Sequence, residues 1–166
     1  MLYAPVSGAA PAASLPLAPN APPAAAILAA AGLLLPHLEQ GSRIDAAILR
    51  SAMEQAFGAS DAAGAWDWKT AYEACEVATV LFLRKYGKAV FRKSGSPAAS
   101  LTMLAKIGSL LPTHTRRSEE TQAFQQFSTP VPLGLAALVA AAITPSDRVL
   151  EPSAGTGLLA ILAEIA

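Results

Sequence analysis

Apolar residues recur at helical spacing over much of this chain. The clearest run begins at Asp67, after which Trp68, Tyr72, Cys75, Thr79 and Phe82 fall three or four apart on one stripe. Asp67 is a good N-cap for that helix, and Lys69 and Glu73 lie one turn apart outside the stripe as a charge pair. Ahead of it, Ile44, Ala47, Ile48 and Phe57 sit near helical spacing, and Gly58 supplies a stop. Behind it, Ser96-Pro97 reads as a cap followed by a first-turn proline. It opens a helix whose face runs through Leu101, Leu104, Ala105, Gly108 and Leu111 until Pro112. Ser118, backed by Glu119 and Glu120, opens a shorter helix whose acidic first turn complements the helix dipole.

The pattern changes beyond this point. Residues 132–143 are apolar on every side, which predicts a buried helix. Thr144-Pro145-Ser146-Asp147 is a turn. Residues 148–151 are too short for a further helix and predict a strand, and 156–166 resume helical character. Helix, turn, strand, glycine loop and helix, in that order, announce an α/β sheet. Three regions follow: a leader over 1–36, a helical region over 37–117, and an α/β portion starting at 118. The fold class expected is mainly α, a helical amino-terminal layer followed by one strand, a glycine loop and a helix.

Composition adjusts this picture in three places. Hydrophobic residues make up 53% of the chain, enough for a core, although many are alanines that bury little area. Pro5, Pro11, Pro16, Pro19, Pro22 and Pro23 recur too often for a helix to propagate. Residues 1–36 therefore read as an uncharged, Ala/Pro-rich disordered leader, with at most a short helix over 24–35 that ends before Pro36. That apolar run is about a dozen residues long, short of the roughly 20 needed to span a bilayer. No basic residues precede it as a signal peptide would require. The expectation is a cytoplasmic protein without a membrane partner.

Twelve basic and twelve acidic residues cancel, so net charge argues neither for nor against a polyanionic partner. The charge is unevenly placed, with Arg84, Lys85, Lys88, Arg92 and Lys93 clustered and Arg116-Arg117 following. Such clusters read as a solvated helix face or as a phosphate-contacting patch. The single cysteine, Cys75, excludes an internal disulfide and fits a reducing compartment. With only His37 and His114 beside it, no metal-ligand cluster is expected. Cys75 reads as a small core residue rather than a nucleophile. Trp66, Trp68 and Tyr72 could stack on a base, but on a helical stripe they read as core.

One run dictates a chemistry: Asp147-Arg148-Val149-Leu150-Glu151-Pro152-Ser153-Ala154-Gly155-Thr156-Gly157-Leu158. Gly155 and Gly157 lack a Cβ, so the backbone can take positive φ and a ligand can approach closely. The helix that follows points unpaired N–H groups at the same spot, which favours a carboxylate or phosphate. A nucleoside triphosphate loop would need Gly-Lys-Ser or Gly-Lys-Thr, where this chain has Gly157-Leu158-Leu159. Gly155-Thr156-Gly157-Leu158-Leu159-Ala160 does satisfy the dinucleotide pattern. Against that ligand stands Glu151, since a fixed negative charge beside a pyrophosphate costs roughly 1 kcal/mol or more. With S-adenosylmethionine the sign reverses, because its ammonium attracts Glu151 while its carboxylate faces the helix N-terminus. The alternative is an ordinary turn with no ligand.

Gln126-Phe127-Ser128-Thr129-Pro130, followed by Val149-Leu150-Glu151-Pro152-Ser153-Ala154-Gly155-Thr156-Gly157, resembles the first two cofactor motifs of class I methyltransferases of the N6-adenine DNA type. The stretch from Trp66-Asp67-Trp68 through Arg116-Arg117-Ser118-Glu119-Glu120 to the glycine loop resembles the amino-terminal region of large bacterial proteins that join a methyltransferase-like domain to a strawberry notch-type helicase. The resemblance covers about residues 60–166. It implies a Rossmann-like fold begun at 118, S-adenosylmethionine as cofactor, and DNA or RNA as partner. It also implies a chain that is the amino-terminal piece of a longer enzyme. Glu151 would hold the methionine end, Gly155 and Gly157 would give close backbone approach, and Phe127, Thr129 and Pro130 would form a pocket wall. Pro152 and Ser153 belong to the same motif. The family's catalytic Asn-Pro-Pro is not met here: the only Asn, Asn20, stands in Asn20-Ala21-Pro22-Pro23. The competing reading is a non-enzymatic helical interaction module whose Rossmann-like portion is vestigial and which accompanies a helicase. Arg116 and Arg117 are candidates for leading DNA toward the site.

Overall fold

A computed structural model describes residues 23–113 and 128–165. Among those residues lie six α-helices, one short 3₁₀ turn at Asp61–Ala63, and no strand. The helices are α1 (Pro23–Gln40), α2 (Ala46–Phe57), α3 (Trp68–Ser94), α4 (Pro97–Ser109), α5 (Val131–Ala141) and α6 (Leu158–Ile165).

Local capping sets most of the boundaries. Asp45 Oδ1 accepts from the Ala47 and Ile48 N–H groups at 2.9 Å, and Gly58, at φ +75°, ends α2. Asp67 Oδ1 accepts from the Thr70 N–H at 2.8 Å and from its hydroxyl at 2.7 Å, opening α3. Burial pushes the Asp67 carboxyl up, but these Thr70 donors hold it below its ordinary value. Ser96 Oγ accepts from the Ala99 N–H at 3.2 Å at the start of α4.

The 27-residue α3 is the spine, with a separate core on each half. Along its first half, Ala71, Ala74 and Ala78 share a buried cluster with Ala30, Ala31 and Leu34 of α1 and with Leu49 and Met53 of α2. Small side chains on both helices let the backbones approach. Thr79, buried on this stripe, donates its hydroxyl to the Cys75 carbonyl at 3.0 Å, so its polar atom has a partner. Along the second half, Leu83 joins Leu104 and Ile107 of α4, Leu135 and Leu138 of α5, and Leu158, Ile161, Leu162 and Ile165 of α6.

The expected strand is overturned. Residues 148–151 pair with nothing, and Val149 and Leu150 are 52% and 87% exposed. A helix satisfies its backbone groups internally, whereas a strand requires a neighbour, and no neighbouring strand exists among the described residues. The segment is therefore an unpaired connection between helices, and the Rossmann-like α/β start at 118 is corrected to an all-helical arrangement among the described residues.

Three further expectations change. The leader does not reach 36, because 23–36 already belongs to α1, which continues through Pro36. Gly32, whose carbonyl Pro36 cannot pair with, faces solvent, as does Pro36, so water can serve the freed carbonyl. Burial of Leu38 on the far side favours continuation. In α4 the buried face is Ser100, Leu104 and Ile107, while Leu101 and Ala105 face outward. Finally, α5 buries Val131, Gly134, Leu135 and Leu138 but leaves Leu133 61% and Val139 46% exposed, because α4 and α6 cover one side only. The helix expected at Ser118 lies outside the described residues.

Candidate functional site

The glycine run forms the connection into α6. Ala142, at φ +49°, ends α5, and its N–H donates to the Val139 carbonyl at 3.1 Å. Asp147 Oδ2 then accepts from the Thr144 N–H and hydroxyl, each at 2.8 Å, closing the expected turn. Those two donors hold the exposed Asp147 carboxyl below its ordinary value.

Glu151 is half-buried, and its Oε1 accepts from the Ser153 N–H at 2.8 Å. Gly155 and Gly157 both lie in the left-handed region, at φ +50° and +88°. A Cβ at Gly157 would meet nothing within 4 Å, and one at Gly155 only the Ser153 carbonyl at 3.8 Å. The conformation therefore demands glycine, and the space above the turn is open. The Gly157 N–H donates to the Ala154 carbonyl at 2.7 Å, while its own carbonyl accepts the first helical bond of α6, from Ile161 at 2.9 Å. The N–H groups of Leu158, Leu159 and Ala160 have no acceptor within the helix and lie at its positive end.

Two devices fix this turn on the bundle. The Thr156 hydroxyl donates to Glu76 Oε2 on α3 at 3.0 Å, a link across 80 positions of sequence. Below it, α6 sits against two glycines. A Cβ at Gly87 would come within 2.5 Å of Ile165 Cδ1, and one at Gly134 within 2.7 Å of Leu162 Cδ1. Nothing in the sequence marks Glu76 as a partner of the turn; only the packing of α6 on α3 brings it there.

Glu151, Pro152, Ser153, Gly155 and Gly157 thus share one turn. Thr129 and Pro130 are exposed at the start of α5, and among the described residues no hydrogen bond joins either to the glycine turn. Pro130 instead gives its carbonyl to the Leu133 and Gly134 N–H groups. The residues after each motif, Val131 and Leu158, do meet in one buried cluster. Phe127, Arg116, Arg117 and His114 lie outside the described residues.

Other candidates resolve into structure. Cys75 is buried, and burial, helped by Glu76, pushes its thiol up to about 12, so it stays protonated near neutrality. Trp66 donates Nε1–H to the Ala59 carbonyl at 3.0 Å, and Trp68 donates to Asp61 Oδ2 at 3.2 Å beneath the Arg50 guanidinium. These rings are committed to packing. Among the described residues no group of His, Cys, Asp and Glu is placed to hold a metal ion, and no helix is long and apolar enough to cross a membrane. Two clefts of about 400 Å³ each, one between α1 and α2 and one bordered by Phe91, Ser100 and Leu138, contain none of the glycine-turn residues. Comparison of the chain with family models, curated proteins and solved structures finds no match.

Proposed function

We propose that residues 151–157 form the S-adenosylmethionine-binding turn of a nucleic-acid-directed methyltransferase. The observation that carries the reading is the charge pattern of the turn. Glu151 lies on it and Glu76 is hydrogen-bonded to it through Thr156, while α6 begins directly behind the two left-handed glycines. Two carboxylates oppose a pyrophosphate and suit an ammonium, and the α6 N-terminus suits the carboxylate on the same amino-acid end. In this reading Glu151 holds the ammonium, Gly155 and Gly157 allow close approach, and Phe127, Thr129 and Pro130 supply a wall. The sequence resemblance extends the proposal to the adenine N6 amine of DNA as acceptor and to a fused helicase, and the reading of the sequence adds a cytoplasmic setting.

Methyl transfer is an in-line displacement. The amine lone pair attacks the methyl carbon, the sulfur–carbon bond breaks, the sulfonium becomes a neutral thioether, and the amine proton passes to solvent. The protein's task is alignment, and a base in a duplex must first leave the stack. The helical architecture favours a second reading, a non-enzymatic interaction module beside a helicase, in which the turn binds nothing.

Titration of the chain with S-adenosylmethionine, read by backbone amide NMR, separates them. The expected result is movement of the amides of Glu151 and residues 153–158 that NAD and ATP do not reproduce. Glu151→Ala is expected to weaken binding by about 1.5 to 3 kcal/mol, the scale of a charged hydrogen bond. If millimolar S-adenosylmethionine leaves those amides unmoved, the first reading fails and the second stands.

A further inference from the structure

The residues of the glycine turn leave one surface unexplained. Between Val77 and Gly95, the carboxy-terminal two thirds of α3 carries Arg84, Lys85, Lys88, Arg92 and Lys93 and no acidic residue. All five are exposed on a chain whose net charge is zero. Two ordinary explanations cover part of the set. Lys85 pairs with Glu39 at 2.7 Å, and Arg92 and Lys93 sit in the last turn, where they complement the helix dipole. Arg84 and Lys88 have neither excuse, and among the described residues they and Arg92, one turn further on the same side, carry no ion-pair partner.

We infer that this face of α3 is a docking surface for the phosphate backbone of duplex DNA. Arg84, Lys88 and Arg92 follow one another at four-residue steps along one side of α3 over about 12 Å, and a duplex presents one charge per about 1.7 Å, so several phosphates face the stripe at once. A lipid surface is disfavoured because membrane-seated helices pair their cations with exposed apolar side chains, and α3 has no exposed large hydrophobic residue. Phe91 and Tyr86, interleaved with the cations, are half-buried, so the contact is electrostatic and independent of sequence. The stripe is also placed for use. Glu76, which holds the glycine turn, lies on the same rigid helix about 12 Å before Arg84. The inference deepens the reading above on its acceptor side and rests on that reading only for why DNA is the polyanion.

The test is fluorescence anisotropy of a labelled 20-base-pair duplex of arbitrary sequence, titrated with the 166-residue chain across a salt series without cofactor. The expected result is salt-sensitive binding that Arg84→Gln, Lys88→Gln and Arg92→Gln together weaken, flattening the slope of log affinity against log salt by about 3. Arg43→Gln and Lys106→Gln, exposed cations away from the stripe, are expected to leave the slope unchanged. Because all these side chains are exposed, the circular dichroism spectrum should stay the same. The inference is overturned if the triple variant binds as the parent does, if the parent binds no duplex at low salt, or if it binds phosphatidylserine vesicles and not DNA. Duplex binding through the stripe without any response to S-adenosylmethionine would leave this inference standing while removing the cofactor assignment.

Discussion

The seating of α6 is decided by two glycines, and Gly134→Ala tests it most directly. Alanine is favoured over glycine in a helix interior by about 1 kcal/mol, so on propensity alone the variant should gain stability. Contact opposes that gain. The new Cβ would lie 2.7 Å from Leu162 Cδ1 and 3.0 Å from Leu159 Cδ2, and Leu162 is fully buried, hemmed by the cluster that includes Leu135 and Ile161. Overpacking of this kind costs about 1 to 3 kcal/mol, which cancels the propensity gain or outweighs it by up to about 2 kcal/mol. Gly32→Ala in α1 is the matched control, because a Cβ there meets nothing within 4 Å and only the propensity term remains. It should gain about 0.5 to 1 kcal/mol. Thermal unfolding followed by circular dichroism reads both, at about 2 to 4 °C per kcal/mol for a chain of this size. If Gly134→Ala proves as stable as Gly32→Ala, then α5 and α6 do not meet as described, and the support beneath the glycine turn is wrong.

Two further predictions concern the turn and the core. Thr156→Val removes the hydroxyl given to Glu76 while keeping the shape, so the Gly157 and Ile161 amides should exchange about five- to tenfold faster, whereas Thr156→Ser should restore protection; unchanged exchange in the valine variant would show that the link does not hold the turn. Cys75 bears on alkaline stability: its folded thiol titrates at about 12 against about 9 when unfolded, so above pH 9 the unfolded state alone releases the proton. Relative to Cys75→Ala, the chain should then lose about 1.4 kcal/mol per pH unit between those values, and urea titrations at pH 8 and 10 that show no such difference would contradict its burial.

The parts legible in the sequence are those whose cause lies within a few residues. Asp67 and Gly58 mark helix ends because a side-chain oxygen or a left-handed φ acts on backbone groups at most three or four positions away. The aromatic stripe from Trp68 to Phe82 was readable for the same reason, since a helix face is fixed by spacing alone. What could not be read depends on distant partners. A strand at 148–151 requires a neighbour, and local letters cannot say whether one is present. Pro36 reads as a stop until the burial of Leu38 beyond it is known. The inward face of α4 is set by what it packs on, which moved it from Leu101 and Ala105 to Ser100 and Ile107. Gly87 and Gly134 look like helix weaknesses, although each marks where α6 comes close.

The loss of the strand does not remove the chemistry of the turn, because the two rest on different interactions. Strand pairing is a property of two segments, while the features that favour an amino-acid ligand are local: two left-handed glycines, a carboxylate within a few residues, and a helix beginning immediately after. Those features need only that α6 be held still. Here α3 does that work through Gly87 and Glu76, and the same helix carries the cationic stripe. Donor site and acceptor track would then share one rigid element, so their separation is set by helical rise rather than by a hinge. A substitution that tilts α6 on α3 should disturb the turn without changing the stripe, and neutralising the stripe should leave the turn intact. This makes the two proposals separable by experiment although they meet on a single helix.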